Sequence, residues 1–247
     1  MMEQIGHFQD GGAAYARHRP SYPPELAAAL AARVSGRRLA VDLGCGTGQF
    51  SRLLVPHFDR VLALDPSADQ ISNAETASGL DFAVGRAEAI GVPAASVDLL
   101  TAAQAAHWFD WEHFPAEVRR VLAPGGRLAL VTYGVMELDG AVGERVARFY
   151  WDEIHRHWPA ERRHVETGYA DLPFPFAEEP LPAFDIRRDW TFDQLIGYVE
   201  TWSAAKRARK DGAGAIIDAF SADLARLWGG ADQRHGVRWP VRGRLGR

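Results

Sequence analysis

Three glycines at alternate positions, Gly44, Gly46 and Gly48, join an apolar run to an amphipathic one, with Asp42 two residues ahead. Glycine lets a chain turn sharply and approach a bound group closely. The next apolar run, Val61-Leu-Ala-Leu64, ends at Asp65-Pro66. A carboxylate at the tip of a second strand can accept hydrogen bonds from both hydroxyls of a ribose. It can equally cap the helix that follows Pro66. Together the loop and the acid read as a seat for an adenosine-bearing group. A dinucleotide fingerprint would carry its third glycine where Gln49 stands, so the pyrophosphate seat of a nicotinamide-dependent oxidoreductase is disfavoured.

A second cluster, Gln104-Ala-Ala-His107-Trp108, follows another apolar run. Imidazole titrates near neutral pH, so His107 can act as a general base for a hydroxyl, or it can shape a pocket. The single cysteine, Cys45, lies inside the glycine loop. That excludes an intramolecular disulfide and a cysteine-rich zinc site. His155, His157 and His164 read as surface histidines, and no metal is expected.

The elements that position these residues alternate. Strands are expected at Leu39–Leu43, Val61–Leu64 and Arg127–Tyr133, and near Leu80–Val84 and Val97–Ala103. Helices are expected at Gln49–Val55, through Ile71, and at Glu112–Leu122. Pro124-Gly125-Gly126 would turn the chain into the last of these strands. This alternation predicts an α/β, doubly wound, mostly parallel sheet. An Ala-rich helix over Glu25–Val34 precedes it. Beyond Tyr133 the pattern predicts a helix over Glu144–Trp158, a Pro-rich loop over Leu172–Phe184 and a strand over Phe184–Trp190. A helix capped by Thr191 and Gln194 follows, then another ending at Trp228, and a closing edge strand over Val237–Leu245. Apolar residues make up 47% and charged residues 24%, as in a globular protein, and the net charge of −4 does not suit non-specific nucleic-acid binding. No leader or spanning segment is read, and the expected location is cytoplasmic.

Val41-Asp-Leu-Gly-Cys-Gly-Thr-Gly48 resembles the first motif of class I S-adenosylmethionine-dependent methyltransferases. The resemblance continues through Leu64-Asp-Pro-Ser67, Gly85-Arg-Ala-Glu-Ala-Ile90, Ser96-Val-Asp-Leu99 and Leu122-Ala-Pro-Gly-Gly-Arg-Leu128. Phe8 to Pro24 and Ala106-His-Trp-Phe109 look like the trans-aconitate methyltransferase branch. The resemblance implies a Rossmann-like fold of seven strands with helical cover elements, in one domain. An arm and helix over 1–36 would cover the site, and 37–133 would bind the cofactor. A helical and Pro-rich insertion over 134–183 and C-terminal elements over 184–247 would complete it. It implies S-adenosylmethionine as cofactor, with Gly44, Gly46 and Gly48 beneath its methionine part and Asp42 ordering the loop. Asp65 and Pro66 would lie at the ribose, Ala87 and Glu88 at the adenine, Gln104 near the methyl-bearing sulfur, and Tyr15 and Arg19 on the covering arm.

The expected acceptor is a small molecule methylated on oxygen, in a monomer or homodimer with no nucleic-acid or membrane partner. The Asn/Asp-Pro-Pro-Tyr/Phe segment of amine-methylating nucleic-acid enzymes is replaced here by Thr101 to Trp108. A carboxylate acceptor needs no base, because it is already ionised at neutral pH. Arg19 is the leading candidate to grip it, ahead of Arg17, Arg162 and Arg163, and Trp108 and Trp151 are candidates to line its pocket. The arm or the Pro-rich loop is expected to close over the site. A non-catalytic S-adenosylmethionine-binding regulatory module on the same fold is the alternative reading.

Overall fold

Pro24 opens the first helix, α1 (Pro24–Ala31), where its missing N–H costs nothing. Residues 20–230 and 232–247 are described by this computed structural model. Next come β1 (Leu39–Leu43), α2 (Ser51–Leu54), β2 (Arg60–Asp65), α3 (Ala68–Ser72), β3 (Leu80–Val84) and β4 (Val97–Ala103). They are followed by α4 (Phe114–Val121) and β5 (Leu122–Tyr133). Helix α2 is shorter than expected and gives way to a 3-10 turn at Val55–His57. Pro56 ends it, since proline cannot continue the helical hydrogen-bond ladder. Strand β5 begins five residues before Arg127. Leu122 already pairs with Val97, and the register shifts between Val97 and Leu99.

The chain forms two compact units. One comprises Ser21–Gly134, Arg163–Phe184 and Val241–Arg247. Its sheet runs β3-β2-β1-β4-β5-β8-β6, with β8 at His235–Gly246 and β6 at Glu178–Glu179. The first five strands are mutually parallel, and β8 lies antiparallel to β5 from Leu128↔Gly246 to Tyr133↔Val241. Strand β4 is buried from Val97 to Ala102, as a central parallel strand must be. The order reverses between β1 and β4. Loops at the carboxyl ends of these two strands therefore diverge and leave the crevice where open α/β sheets bind ligands.

Two features of this unit depart from the sequence reading. The Pro-rich stretch contributes β6, which pairs with Leu245 and Gly246, so β8 is not an edge, and the sheet has eight strands in place of the expected seven. Only Glu178 and Glu179 make that pairing, between Pro175 and Pro180. The stretch is also tied down. Phe174 and Phe176 pack on the core, Arg119 Nη2 donates to Pro175 O at 2.8 Å, and Arg244 forks onto Glu178 at 2.9 and 2.7 Å. The arm, the other stretch expected to close over the site, lies outside the described residues.

Among the described residues, the other unit comprises Val135–Arg162 and Asp185–Pro240, with Pro20. Helix α5 (Gly140–Arg148) continues as a π-helix, Phe149–Ile154, and a 3-10 turn, His155–His157. Helix α6 (Arg162–Glu166) belongs from Arg163 on to the first unit, and β7 (Phe184–Trp190) pairs with β8. Helix α7 (Phe192–Glu200) carries the expected capping box of Thr191 and Gln194. Then come α8 (Ser203–Lys210) and α9 (Ala215–Trp228). Helix α8 escapes the sequence reading because its buried face is only Ala204, Ala205 and Ala208. Trp202 is buried, edge-on to Tyr150. Phe149 stacks on Phe220 at 3.9 Å. Arg145 is buried beside them, forked onto Glu153 at 3.0 and 3.1 Å and bonded to Asp223 at 3.2 Å. His155, His157 and His164 are half-buried rather than on the surface. His155 lies against Trp151, and His164 Nδ1 is 2.9 Å from Asp171 Oδ2. Among the described residues, no helix is long and apolar enough to cross a membrane.

Candidate active site

The glycine loop leaves the carboxyl end of β1 and is pinned to β2, where Cys45 N donates to Leu64 O at 3.0 Å. All three glycines have positive φ: 65° at Gly44, 56° at Gly46 and 85° at Gly48. Their surroundings differ. A Cβ on Gly44 would lie 2.5 Å from Ala105 Cβ, and one on Gly48 would lie 2.5 Å from Phe82 Cζ. A Cβ on Gly46 would meet only Gln70 Oε1, at 3.6 Å. Protein packing thus demands glycine at the two outer positions, whereas at the middle one no described residue but Gln70 lies within 4 Å of the added Cβ.

Asp42 is buried on β1 and ties the loop together. It accepts from Ser51 Oγ at 2.6 Å and from Thr101 Oγ1 at 2.8 Å, so the start of α2, β1 and β4 meet at one carboxylate. Burial outweighs these hydrogen bonds and pushes its carboxyl up to about 6. Asp65, at the tip of β2, accepts from Gly46 N through Oδ2 and from Ser67 N through Oδ1, each at 2.8 Å. Burial holds its carboxyl above the usual range. Asp65 does not cap α3. That role belongs to Ser67, whose Oγ accepts from Gln70 N. Pro66 is exposed at the same turn. Burial, with Asp42 and Asp65 nearby, pushes the Cys45 thiol far up.

Ala87 is buried beyond β3. Glu88 is no solvated surface acid: its side chain is 15% exposed, and Oε1 accepts from Asp110 N at 2.8 Å. Past β4, Gln104 stands at φ 59°, a left-handed conformation rare outside glycine. Its amide is tied to β5 at both ends. Nε2 donates to Tyr133 O at 2.7 Å, and Oε1 accepts from Thr132 Oγ1 at 2.8 Å. The side chain expected near a sulfur thus fastens one strand end to its neighbour. The turn leads into a 3-10 helix, Ala106–Trp108, held by Trp111 Nε1 donating to Ala106 O at 3.0 Å. His107 is half-buried on this helix, its ring 4.9 Å from Trp108 and its Nδ1 3.2 Å from the Tyr169 hydroxyl.

The remaining candidates lie elsewhere. Trp151 is in the other unit, 48% exposed and stacked on His155. Arg162 donates to the Tyr150 hydroxyl at 2.8 Å and lies over Trp158, and Arg163 is exposed beside Asp171. Tyr15, Arg17 and Arg19 lie outside the described residues.

Residues 41–130, which carry this loop and crevice, match a methyltransferase domain family. A Dictyostelium discoideum protein assigned as a methyltransferase is 30% identical over 218 residues, spanning 87% of this chain and 83% of that one. The chain belongs to the S-adenosylmethionine-dependent methyltransferases. A solved structure assigned as a type II methyltransferase, from Anaeromyxobacter dehalogenans, is 43% identical and covers 93% of the present methyltransferase and 97% of itself, with a TM-score of 0.87. A malonyl-[acyl-carrier protein] O-methyltransferase of Methylococcus capsulatus is 42% identical over 101 residues, 38% of this chain and 37% of that protein. Membership decides against the oxidoreductase reading, as Gln49 had suggested, and against a module without catalysis.

Several site partners were not legible in the sequence of this methyltransferase. Thr101 reaches Asp42 because β1 and β4 pair in the register Asp42↔Thr101. Thr132 reaches Gln104 across the neighbouring strand pair, and Tyr169 reaches His107 across 62 positions. No local spacing signals such pairs. Only the tertiary register creates them.

Proposed function

We propose that this methyltransferase modifies an oxygen of a small anionic acceptor, in the first place a carboxylate, using a cofactor held between the glycine loop and Asp65. The open face of Gly46 carries the cofactor half of this reading. Among the described residues only Gln70 comes within 4 Å of a Cβ placed there, while its two neighbours are closed by Ala105 and Phe82. Each Asp65 oxygen accepts one amide and retains a lone pair for a ribose hydroxyl. Pro66, Ala87 and Glu88 would border the adenosine. Asp42 keeps the loop in place, and Gln104 fixes the turn toward His107. When bound, the cofactor supplies a methyl group already activated by a positively charged sulfur. The chain therefore has to align an acceptor oxygen and exclude water.

Three observations support an oxygen acceptor. Thr101 to Trp108 forms a strand end and a 3-10 turn, without the segment that seats an amino-bearing base. The suppressed Cys45 thiol does not suit a nucleophile. The Methylococcus relative, similar over 38% of this chain, is named as a malonyl-[acyl-carrier protein] O-methyltransferase. On the resemblance to the trans-aconitate branch, Arg19, His107 and Trp108 would contact the acceptor, and Tyr15 and Arg19 would border the cofactor.

The test is a labelled-methyl screen across mono-, di- and tricarboxylates, alcohols and amines, beside calorimetry with S-adenosylhomocysteine. The expected results are micromolar cofactor binding and label transferred to carboxylates as base-labile esters. Label found only on amines or neutral alcohols overturns the acceptor assignment.

A further inference from the structure

Beside strand β8 the first unit holds a cavity of about 450 Å³, in the range of small-molecule sites. Its walls are the turn after α6, the Pro-rich stretch and the last residues of β8, all of that one unit. None of the described residues assigned above to the cofactor or the acceptor lines it. Tyr169, between the lining residues Gly168 and Ala170, turns into the core instead. Charge in the cavity is unbalanced. Arg242 and Arg244 stand two residues apart on β8 and so share a face. Arg244 is engaged: its fork holds both oxygens of Glu178 at 2.9 and 2.7 Å, and its Nη1 donates to Leu172 O at 2.8 Å. The acid on the neighbouring turn, Asp171, is likewise committed, to Thr167 Oγ1 at 2.7 Å and His164 Nδ1 at 2.9 Å. Among the described residues Arg242 has no such partner. Two guanidiniums against one carboxylate therefore leave one positive charge in the lining.

Arg242 is exposed, yet its stem is held. Gly168, at φ 64°, lies so close that a Cβ there would come 2.8 Å from Arg242 Cβ and 3.3 Å from its Cδ. Glycine is thus needed at 168 for the close approach as well as for the positive φ. A packed stem with its charged head in water leaves the planar fork ready for an anion. Leu181, Pro182 and Val241 supply an apolar part of the wall. We propose that this cavity is a binding site for a small organic monoanion. Its carboxylate pairs with Arg242 through two parallel hydrogen bonds, and its apolar body lies against Leu181, Pro182 and Val241. A second negative charge would find Glu178 already present and Arg244 already neutralised by it. A neutral ligand would leave the Arg242 fork unmatched. The site is separate from the proposed acceptor site, and neither assignment depends on the other.

Hexanoate is the probe, titrated into the full chain saturated with S-adenosylhomocysteine and followed by NMR of the backbone amides and arginine Nε–H groups. The expected result is a saturable shift at Gly168, Ala170 and the Arg242 Nε–H. Hexanamide has the same body without the charge, and inorganic phosphate has charge without the body. Each is expected to bind about tenfold more weakly or worse, the scale of a lost charge-assisted hydrogen bond. Arg242→Gln is expected to raise the hexanoate Kd by about the same factor while the S-adenosylhomocysteine Kd stays unchanged. Arg242→Lys should recover only part, because an ammonium lacks the fork. Four results each overturn the proposal: no saturable shift at these positions, shifts confined to the glycine loop and His107, hexanamide or phosphate binding as tightly as hexanoate, or an unchanged hexanoate Kd in Arg242→Gln. The comparison of hexanoate with hexanamide uses the native protein, so it decides the matter even where a variant misfolds.

Discussion

At the scale of single residues, the three loop glycines look alike in sequence and differ in what surrounds them. Gly46→Ala meets no blocking atom among the described residues, so its cost to the fold is set by the positive φ, about 1–2 kcal/mol. The same change fills the cofactor face, and the Kd for S-adenosylhomocysteine is expected to rise tenfold or more. Gly44→Ala drives a methyl group into Ala105 and should destabilise the fold further. Calorimetry beside urea unfolding separates the two, and equal stability losses with unchanged Kd values contradict the assignment. Asp42 gives a pH signature. Its carboxyl is raised to about 6 in the fold from 3.8, so between these values the unfolded chain ionises first and the native state is penalised as pH rises. About 3 kcal/mol of stability is expected to be lost across this window and not regained above it. Asp42→Asn should lack that decline, so the difference between the two proteins in urea unfolding at pH 4 and pH 7 isolates it. Parallel pH profiles refute this account.

At the scale of elements, strands β1 and β7 were legible to the residue and β3 and β4 in their place, because each is a short run of strand formers with clear flanks. The first helix after the loop was overextended, because packing and Pro56 cut it to a single turn and a 3-10 continuation. The π-helix was read as ordinary helix, since its widened turn leaves the apolar spacing almost unchanged. That stretch carries Glu153, which forks onto Arg145 on α5. Arg145 is 5% exposed, whereas Glu153 is 29% exposed, and this makes the pair asymmetric. Glu153→Ala strands part of a buried guanidinium and is expected to cost about 2–3 kcal/mol. Arg145→Met leaves two carboxylates that water can still reach and should cost less. Denaturant midpoints for the two variants check this, and the reverse order contradicts it.

At the scale of the whole molecule, the candidate cofactor residues in the described chain all belong to one compact unit, and Trp151 belongs to the other. The motifs made that unit easy to read. The second unit has aromatic and alanine-rich elements whose order only packing decides. S-adenosylhomocysteine at a hundred times its Kd should stabilise the native state by about 2.7 kcal/mol. Hydrogen exchange should place the added protection on the loop amides from Cys45 to Gly48 and on Ser67. Protection confined to Val135–Arg162 and Asp185–Pro240 refutes the assignment of the site.

The suppressed thiol of Cys45 has one more consequence. It is the only cysteine in the chain, and it sits between the two carboxylates that organise the loop. Alkylating reagents react with thiolates, so a maleimide should label the resting protein slowly and at this position alone. Each labelling event then records a moment when the loop has lifted from Leu64. The rate of alkylation becomes a clock for loop opening, one that a bound cofactor should slow and Asp42→Asn should quicken.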